Sequence, residues 1–431
     1  MRRTGTKRAE TPVPWEGKGM NARDIRLAKS RLRYPVLGDL EEAARRRLPY
    51  YVYDYLQGGT GEELSRRRNI EALRGIEIVP RYGVDISSAS MSASLFGQTF
   101  NAPMAIGPIG MDGAIWPNAS SHLAEAAREA GIGYMMSSMS AGSIENAAAI
   151  AGENFWFQLY TFAGNDHAVS FDLIRRARDA DARMLTVTLD IPGAGRRVRD
   201  MRNGLSVPLR VSPKMALGTL LRPAWLAGLA RNGLPRFANF APYCREGASK
   251  AEIDAFVSKG RPGGGATWEM VARFRDAWPG AMTVKGILHP ADAEKAVSLG
   301  LDGVIVSNHG GRQFDPSPAT IDVLPAIRAA VGKKSTILFD SGIMSGLDMV
   351  KALACGADGV MVGRAFMLGL AALGADGARH VCATLMEEFR IALVQTGACT
   401  VSGAKGLAVR HRGAWVDDDF KAGGAGQKNY E

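Results

Sequence analysis

Short apolar runs alternate with amphipathic stretches along the chain beyond residue 100. Each run is followed by a polar or glycine-containing turn and a helical pattern, such as ASSHLAEAAREAG, that ends in glycine, a common signal for the end of a helix. The runs are APMAIGP (102–108), GYMMSS (133–138), FWFQLY (155–160), MLTVTLD (184–190), MTVKGI (282–287), GVIVSN (303–308), TILFDSG (336–342) and GVMVGR (359–364). Strands that alternate with helices predict a parallel sheet, and eight such units predict an α/β fold closed into a (β/α)8 TIM barrel.

Other segments lie outside this alternation. The chain before the first run is expected to add an N-terminal helical extension to the barrel, and a long insertion over 203–266 follows the fourth predicted strand. We expect a basic, mobile tail over 1–33, one domain over 34–412 that includes the insertion, and a C-terminal tail over 413–431.

The insertion combines leucines with cations in SPKMALGTLLRPAWLAGLARNGLPRFANF. None of its apolar runs reaches the roughly 18–20 residues that span a bilayer. The composition is typical of an amphipathic segment lying on a membrane surface, and the alternative is a loop packed on the barrel or on another subunit. The later part, SKGRPGGGATW, is glycine-rich and is expected to lie over the mouth of the site, where it could act as a lid.

Charge and cysteine content narrow the function classes. The net charge is +10, and residues 1–50 contribute 13 Lys/Arg against 6 Asp/Glu. The sequence contains no recognised nucleic-acid module, so the excess predicts a solvated tail or attraction to anionic lipid. The N-terminal end lacks the apolar core of a secretory signal, and we expect a cytoplasmic protein, either free or peripheral on the inner face of the cell membrane. No metal site or disulfide is expected from the widely spaced Cys244, Cys355, Cys382 and Cys399.

Residues suited to catalysis or anion binding concentrate where the predicted strands end. They are Gln158, Tyr160, Thr188, Asp190, Lys285, His309, Arg312, Asp340, Gly342, Gly363 and Arg364. In a closed barrel these ends meet at one face, where phosphate is often bound after the last two strands. A histidine titrates near neutral pH, and an arginine presents a planar fork to carboxylates. The pattern predicts a proton acceptor beside an anion clamp.

The segment SNHGGRQFD (307–315) is the most specific motif of the chain. With VYDYLQGG (52–59), TLDIPGAGRRVRD (188–200) and DGVMVGRAF (358–366), it makes residues 34–412 resemble the FMN-dependent L-2-hydroxy acid dehydrogenase/oxidase family. WFQLY, NGLPRFANF and the insertion look most like the membrane-associated lactate and mandelate dehydrogenases of that family. The resemblance implies oxidation of an L-2-hydroxy acid to a 2-keto acid, with electrons passed from FMN to a quinone or cytochrome, in a homotetramer. The alternative is an oxidase that uses dioxygen and produces hydrogen peroxide.

The resemblance also implies roles for individual residues. His309 would be the base, in either a hydride-transfer or a carbanion mechanism, Asp190 would orient its ring, and Tyr160 would donate to the substrate oxygen. Arg197 and Arg312 would clamp the substrate carboxylate, with the hydroxyl of Tyr55 as an additional donor. Residues implied to bind FMN are Pro108, Ile109, Gly110, Ser137, Gln158, Thr188, Lys285, Ser307, Asp340, Gly342, Gly363 and Arg364.

Three further positions bear on specificity and cofactor affinity. Gly110 and Met139 stand where the glycolate oxidases of the family carry larger side chains, which predicts room for a longer or aromatic substituent and leaves both lactate and mandelate open. Met344 in SGIMSG replaces an arginine that contacts the phosphate or the flavin in relatives. We expect weaker FMN binding or compensation by another basic residue; the alternatives are a site in which Arg364 suffices and an altered reactivity of the reduced flavin.

Overall fold

The computed structural model describes residues 21–193, 195–205 and 211–421. Eight parallel strands close into a barrel in the order β10-β11-β4-β5-β6-β7-β8-β9, which confirms the predicted fold. The strands of the described chain are β1 (Glu77–Val79), β2 (Ala93–Leu95), β3 (Gln98–Phe100), β4 (Met104–Ile106), β5 (Gly133–Ser137), β6 (Phe155–Leu159), β7 (Met184–Thr188), β8 (Ala281–Ile287), β9 (Gly303–Val306), β10 (Thr336–Asp340), β11 (Gly359–Val362) and β12 (Ala408–Arg410).

Helices surround the barrel and carry the signals expected at their ends. Ser143, Thr267 and Ser345 each accept a backbone N–H at the start of a helix. The α-helices are α1 (Ala22–Arg33), α2 (Leu40–Arg47), α3 (Tyr50–Gln57), α4 (Leu64–Arg74), α5 (Asp112–Ile115), α6 (Ala119–Ala130), α7 (Ile144–Ala151), α8 (Gly164–Asp179), α9 (Val198–Arg202), α10 (Pro213–Leu220), α11 (Pro223–Asn232), α12 (Lys250–Gly260), α13 (Trp268–Ala277), α14 (Pro290–Ser298), α15 (Thr320–Val331), α16 (Gly346–Ala354), α17 (Arg364–Leu373), α18 (Gly377–Gln395), α19 (Val401–Ala404) and α20 (Asp417–Lys421). Short 3₁₀ segments are Leu37–Asp39, Gly152–Asn154, Ala238–Tyr243 and Gly374–Asp376.

A small hairpin closes the amino-terminal end of the barrel. Strands β2 and β3 pair antiparallel. The rings of Phe96 and Phe100 meet the ring of Trp156 edge-on, with centroids 5.9 and 5.6 Å apart. The Trp156 indole donates to Gln98 at 3.1 Å, so its polar N–H is satisfied. With this end filled, the carboxyl ends of the strands are the open face.

The described parts of the two expected tails, 1–33 and 413–431, form structure that contacts the domain. We expected a mobile segment over 1–33, but its last twelve residues form α1, because Asn21 and Asp24 make a capping box. Arg26 pairs with Asp376 at 3.2 Å and fixes α1 on the domain. In the expected C-terminal tail, the backbone N–H of Trp415 donates to Asp322 at 2.9 Å. Residues 1–20 and 422–431 lie outside the described residues.

One side of the insertion packs against the rest of the domain. Trp225 is buried and its indole donates to the Ile115 carbonyl at 3.0 Å, while Arg222 donates to the Leu48 carbonyl at 2.9 Å. The glycine-rich stretch is tied to the loop after β6, since Gly263 donates to the Thr161 carbonyl at 2.8 Å. The insertion therefore lies beside the open face of the barrel, although residues 206–210 are outside the described part.

Candidate active site

A cavity of about 1410 Å³ opens at the carboxyl ends of the barrel strands. The predicted site residues that line it are Tyr55, Pro108, Ile109, Gly110, Met139, Tyr160, Arg197, Lys285, His309, Arg312, Asp340, Gly342, Gly363 and Arg364. The others lie directly behind this wall and are Ser137, Gln158, Thr188, Asp190 and Ser307. The structure therefore brings all the predicted residues to one region, and what each does there stays a prediction.

A hydrogen-bonded row of three side chains crosses the cavity floor. His309 Nδ1 lies 3.0 Å from Asp190 Oδ1, and His309 Nε2 lies 3.2 Å from the hydroxyl of Tyr160. These residues follow β9, β7 and β6, so closure of the barrel brings together positions more than a hundred residues apart. The ring of His309 is held from both sides, with Nε2 on the side of the cavity where Tyr160 lies.

Backbone geometry makes this row possible. At Gly286 a Cβ atom would lie 2.5 Å from the Cβ of Asp190, and its φ of +103° is a conformation that other residues rarely adopt. His309 has a φ of +59°, in the left-handed region that is uncommon for residues other than glycine. Such conformations persist where the surrounding structure fixes them, and they are frequent at functional sites.

Burial and neighbouring charges set the protonation states of His309 and Asp190. Burial lowers the pKa of His309 below its ordinary value, although Asp190 pulls it upward. Burial alone would raise the pKa of Asp190, but the neighbouring His309 and Lys285 outweigh it and lower that pKa. The resting pair is therefore a neutral imidazole beside a carboxylate, which is the state that accepts a proton.

Two guanidinium groups face the same cavity. Arg312 Nη1 donates to the carbonyl oxygens of Tyr55 and Gly58 at 2.7 and 2.8 Å, and its guanidinium lies 4.8 Å from the centroid of the Tyr55 ring. Arg197 donates to Gln313 Oε1 at 3.3 Å, and its buried Nε has no partner among the described residues. Burial and the charge of Arg197 lower the pKa of Arg312. These hydrogen bonds all go to neutral oxygens, so the pair can accept an anion.

A buried lysine supplies positive charge at the cavity floor. Lys285 Nζ donates to Ser307 Oγ at 2.7 Å and lies 2.9 Å from Asp340 Oδ2. Burial alone would lower the pKa of Lys285, but Asp340 and Asp190 outweigh it and raise it. The ammonium is therefore charged and fixed in direction.

Two features in and behind the cavity wall fit FMN, the cofactor that the family resemblance implies. Gln158 donates to Thr188 Oγ1 at 2.8 Å, while its Oε1 is buried without a partner in the described structure and can accept from a ring N–H. Burial, together with the nearby Arg66 and Arg312, lowers the pKa of Arg364 to about 9. The negative charge of a phosphate beside Arg364 would raise this pKa again. The residues present therefore suit a flavin ring at one end and a phosphate at the other.

The structure adds features that sequence reasoning missed. Asn69 and Asn308 exchange two amide hydrogen bonds of 2.8 Å, which hold α4 against the loop that carries His309. Arg66, on the same helix, lines the cavity. The hydroxyl of Tyr55, expected to face the substrate, lies 3.4 Å from the Gly110 carbonyl. A polar cluster in SRRRN, inside an amphipathic helix, was the available signal for the α4 residues.

Comparisons with known proteins show the family of this chain. The model of the FMN-dependent dehydrogenase family matches residues 44–411. The L-lactate dehydrogenase of Caulobacter vibrioides is 37% identical over 365 residues, which cover 84% of this chain and 94% of that protein. The (S)-mandelate dehydrogenase of Pseudomonas putida is 36% identical over 359 residues, covering 83% and 89%.

Solved structures extend the similarity to three dimensions. A crystal structure of the monotopic membrane protein (S)-mandelate dehydrogenase superposes with a TM-score of 0.82 at 34% identity, covering 88% of this chain and 99% of that one. A crystal structure of mandelate oxidase gives a TM-score of 0.75 at 36% identity, covering 89% and 100%. The family match spans most of the chain, and the barrel agrees with it. This chain therefore belongs to the FMN-dependent dehydrogenase family, with FMN as its cofactor.

Proposed function

We propose that this enzyme oxidises an L-2-hydroxy acid to the 2-keto acid and passes the electrons to a quinone or cytochrome at a membrane. The observation that carries the proposal is His309, oriented by Asp190, in the same cavity as Arg197 and Arg312. A base beside a pair of cationic forks suits a small acid that loses a proton next to its carboxylate.

Binding would begin with the carboxylate. Arg312 is fixed by the two carbonyl oxygens of Tyr55 and Gly58, so little freedom is lost when it binds an anion. Arg197 would contact the same group from the other side. Fixing the carboxylate orients the neighbouring carbon and hydroxyl, and such positioning lowers a barrier by several kcal/mol, on the order of 7–11 in the most favourable systems.

Proton removal would then fall to His309. Its Nε2 takes either the hydroxyl proton or the proton on the substrate carbon, and the cation that forms is stabilised by Asp190. Burial and the charge of Asp190 raise the pKa of Tyr160, so its hydroxyl stays protonated and donates to the substrate oxygen. When bound, FMN would supply the acceptor for the electron pair that leaves the substrate carbon.

The pocket wall bears on which acid is used. Gly110 faces Met139, and a Cβ added at Gly110 would lie 3.4 Å from the Cβ of Met139. The absence of that methyl group supports a longer or aromatic substituent, as in mandelate, and also accepts lactate. Hydrophobic pockets discriminate by about 1–3 kcal/mol per methylene, so both remain in the proposed substrate class.

The acceptor can be tested by following turnover of the holoenzyme with (S)-mandelate and (S)-lactate in air. We expect reduction of a soluble quinone analogue to be much faster than formation of hydrogen peroxide. The similarity to mandelate oxidase favours the second candidate, an oxidase. Peroxide formation that matches substrate consumption in the presence of the quinone would contradict the dehydrogenase proposal and support the oxidase.

Membrane association is supported by the insertion. Leu217, Leu220 and Leu221 are 60%, 68% and 62% exposed, and Leu234 is 68% exposed, while Met215 and Trp225 are buried on the opposite side. Lys214, Arg231 and Arg236 flank these leucines and are exposed. Among the described residues, no helix is both long enough and apolar enough to cross a bilayer. We propose that this surface lies on anionic lipid.

The variant Leu217→Ser/Leu220→Ser/Leu221→Ser should weaken binding to phosphatidylglycerol vesicles at least about tenfold, because each inserted leucine contributes on the order of 1 kcal/mol or more. Co-sedimentation at low and high salt measures this, and the matched control is Val297→Ser/Ile391→Ser, which changes exposed residues elsewhere. Equal pelleting of the two variants, or none by the wild type, would contradict the membrane proposal.

A homotetramer, which the resemblance implies, stays a prediction.

A further inference from the structure

Arg66 is a cavity-lining cation that the proposed reaction does not use. It belongs to the face of α4 that carries Asn69, Ile70 and Leu73, all of which line the same cavity. Its side chain is 17% exposed. Since residues spaced by three and four share one face of a helix, this side chain points toward the cavity together with the other three.

The guanidinium of Arg66 has donors to spare. Its Nη2 donates to Gln57 Oε1 at 3.0 Å, and its Nε is buried without a partner in the described structure. The nearest carboxylate is that of Glu63, 3.8 Å from Nη1. That carboxylate is engaged by Arg199 through two hydrogen bonds of 2.6 and 2.7 Å. Arg66 is therefore only weakly neutralised.

The position of α4 brings Arg66 to the anion end of the cavity. A Cβ at Gly311 would lie 2.5 Å from the backbone nitrogen of Arg66, and a Cβ at Gly342 would lie 3.1 Å from the carbonyl oxygen of Asn69. These glycines let the helix approach the loops after β9 and β10. Among the charged neighbours that lower the pKa of Arg364, Arg66 is the foremost. Arg364 donates to the carbonyl oxygens of Leu56 and Gly310 at 3.1 and 3.4 Å. Arg66 contacts the next residue of each segment, Gln57 and Gly311, so the two guanidinium groups lie close enough to share one anion.

The loop after β10 offers no such charge. Met344 lines the cavity with a thioether, and its backbone N–H donates to Asp348 at 3.0 Å. The Glu388 carboxylate accepts from the backbone of Gly346 at 2.8 Å. Residues 341–345 of this loop carry no cation, and Lys351, the cavity-lining cation of the helix that follows, donates to the Leu73 carbonyl at 2.7 Å. We therefore expect a second counter-charge for the phosphate to come from another element.

We propose that Arg66 is the second guanidinium on the 5′-phosphate of FMN and takes the place of the cation that is missing at Met344. The inference rests on FMN as the cofactor and concerns the binding of the phosphate alone. With Arg364, it matches the two negative charges of the phosphate with two cations. It does not depend on which substrate is oxidised.

The test compares FMN with riboflavin, which lacks the phosphate, by fluorescence titration of the apoprotein without substrate. Arg66→Leu is expected to weaken FMN binding about tenfold to a hundredfold, as loss of a charge-assisted hydrogen bond does, and to leave riboflavin binding within about twofold. The matched control is Arg67→Leu, which removes an exposed arginine from the same helix and should bind FMN like the wild type.

A second variant, Arg66→Gln, keeps a polar side chain without the charge and should also weaken FMN binding about tenfold to a hundredfold. It replaces Arg66→Leu as the test if the leucine variant folds poorly. FMN affinity within about twofold of the wild type would overturn the inference. Equal weakening of FMN and riboflavin would also overturn it, because that result indicates a structural role. Normal FMN binding by the wild type without oxidation of any hydroxy acid would count against the proposed function and leave this inference standing.

Discussion

His309→Gln should lower the rate constant for flavin reduction by about 10²–10⁴, the usual contribution of a general base. Glutamine can still hydrogen-bond to Asp190 and Tyr160, so FMN and a substrate-like 2-keto acid should remain bound. The acid side of the pH profile should change as well. In the wild type the rate falls as pH falls through the pKa of His309, which burial places below the ordinary value of a histidine, because the imidazole gains a proton. The variant should lose this dependence.

Anaerobic stopped-flow spectroscopy at several pH values measures both effects. The control is His289→Gln, which changes an exposed histidine at the start of α14. Reduction of the His309→Gln variant within tenfold of the wild type, with the pH dependence retained, would remove His309 from the proposed chemistry.

Arg312→Lys should lower kcat/KM about tenfold to a hundredfold, although it keeps the charge. The guanidinium donates to the carbonyl oxygens of Tyr55 and Gly58 and lies over the Tyr55 ring, and it must still contact the substrate. A lysine ammonium has no planar fork and cannot keep all these contacts in one orientation. Because the clamp positions the reacting carbon, kcat should fall together with affinity.

Single-turnover reduction rates and binding of a 2-keto acid separate the two components. Arg196→Lys serves as the control, since Arg196 is exposed one residue before Arg197. An unchanged turnover rate with only a modest rise in KM would argue that Arg312 adds charge and does not orient the substrate.

The barrel and much of the site follow from local patterns. Each barrel strand is an apolar run between turn signals, and closure of the sheet then brings strand ends such as Tyr160, Asp190 and His309 to one face without further information. The motif SNHGGRQFD resembles the family's motif closely, and it contains the left-handed backbone at His309 together with the proposed base and one arginine of the proposed clamp.

Other features depend on contacts between distant segments. The hairpin of β2 and β3 has strands of three residues, too short to give a clear period, and its function depends on the aromatic contact with Trp156. Helix α1 lies within the expected tail, because a high density of cations shows that a segment is polar and does not show whether it docks on the domain. Arg66 reaches the cavity only because α4 docks on loops about 240 residues away, through the pair Asn69 and Asn308. No local pattern specifies such docking.

Anaerobic mixing of the FMN-loaded protein with the two enantiomers of mandelate and of lactate tests whether the site oxidises an L-2-hydroxy acid. A carboxylate held by Arg197 and Arg312 and a base fixed at His309 define one handedness for the carbon between them. The account predicts rapid bleaching of the flavin absorbance by at least one (S)-acid and none by its (R)-enantiomer. No bleaching by any 2-hydroxy acid, or equal rates for both enantiomers, would contradict it.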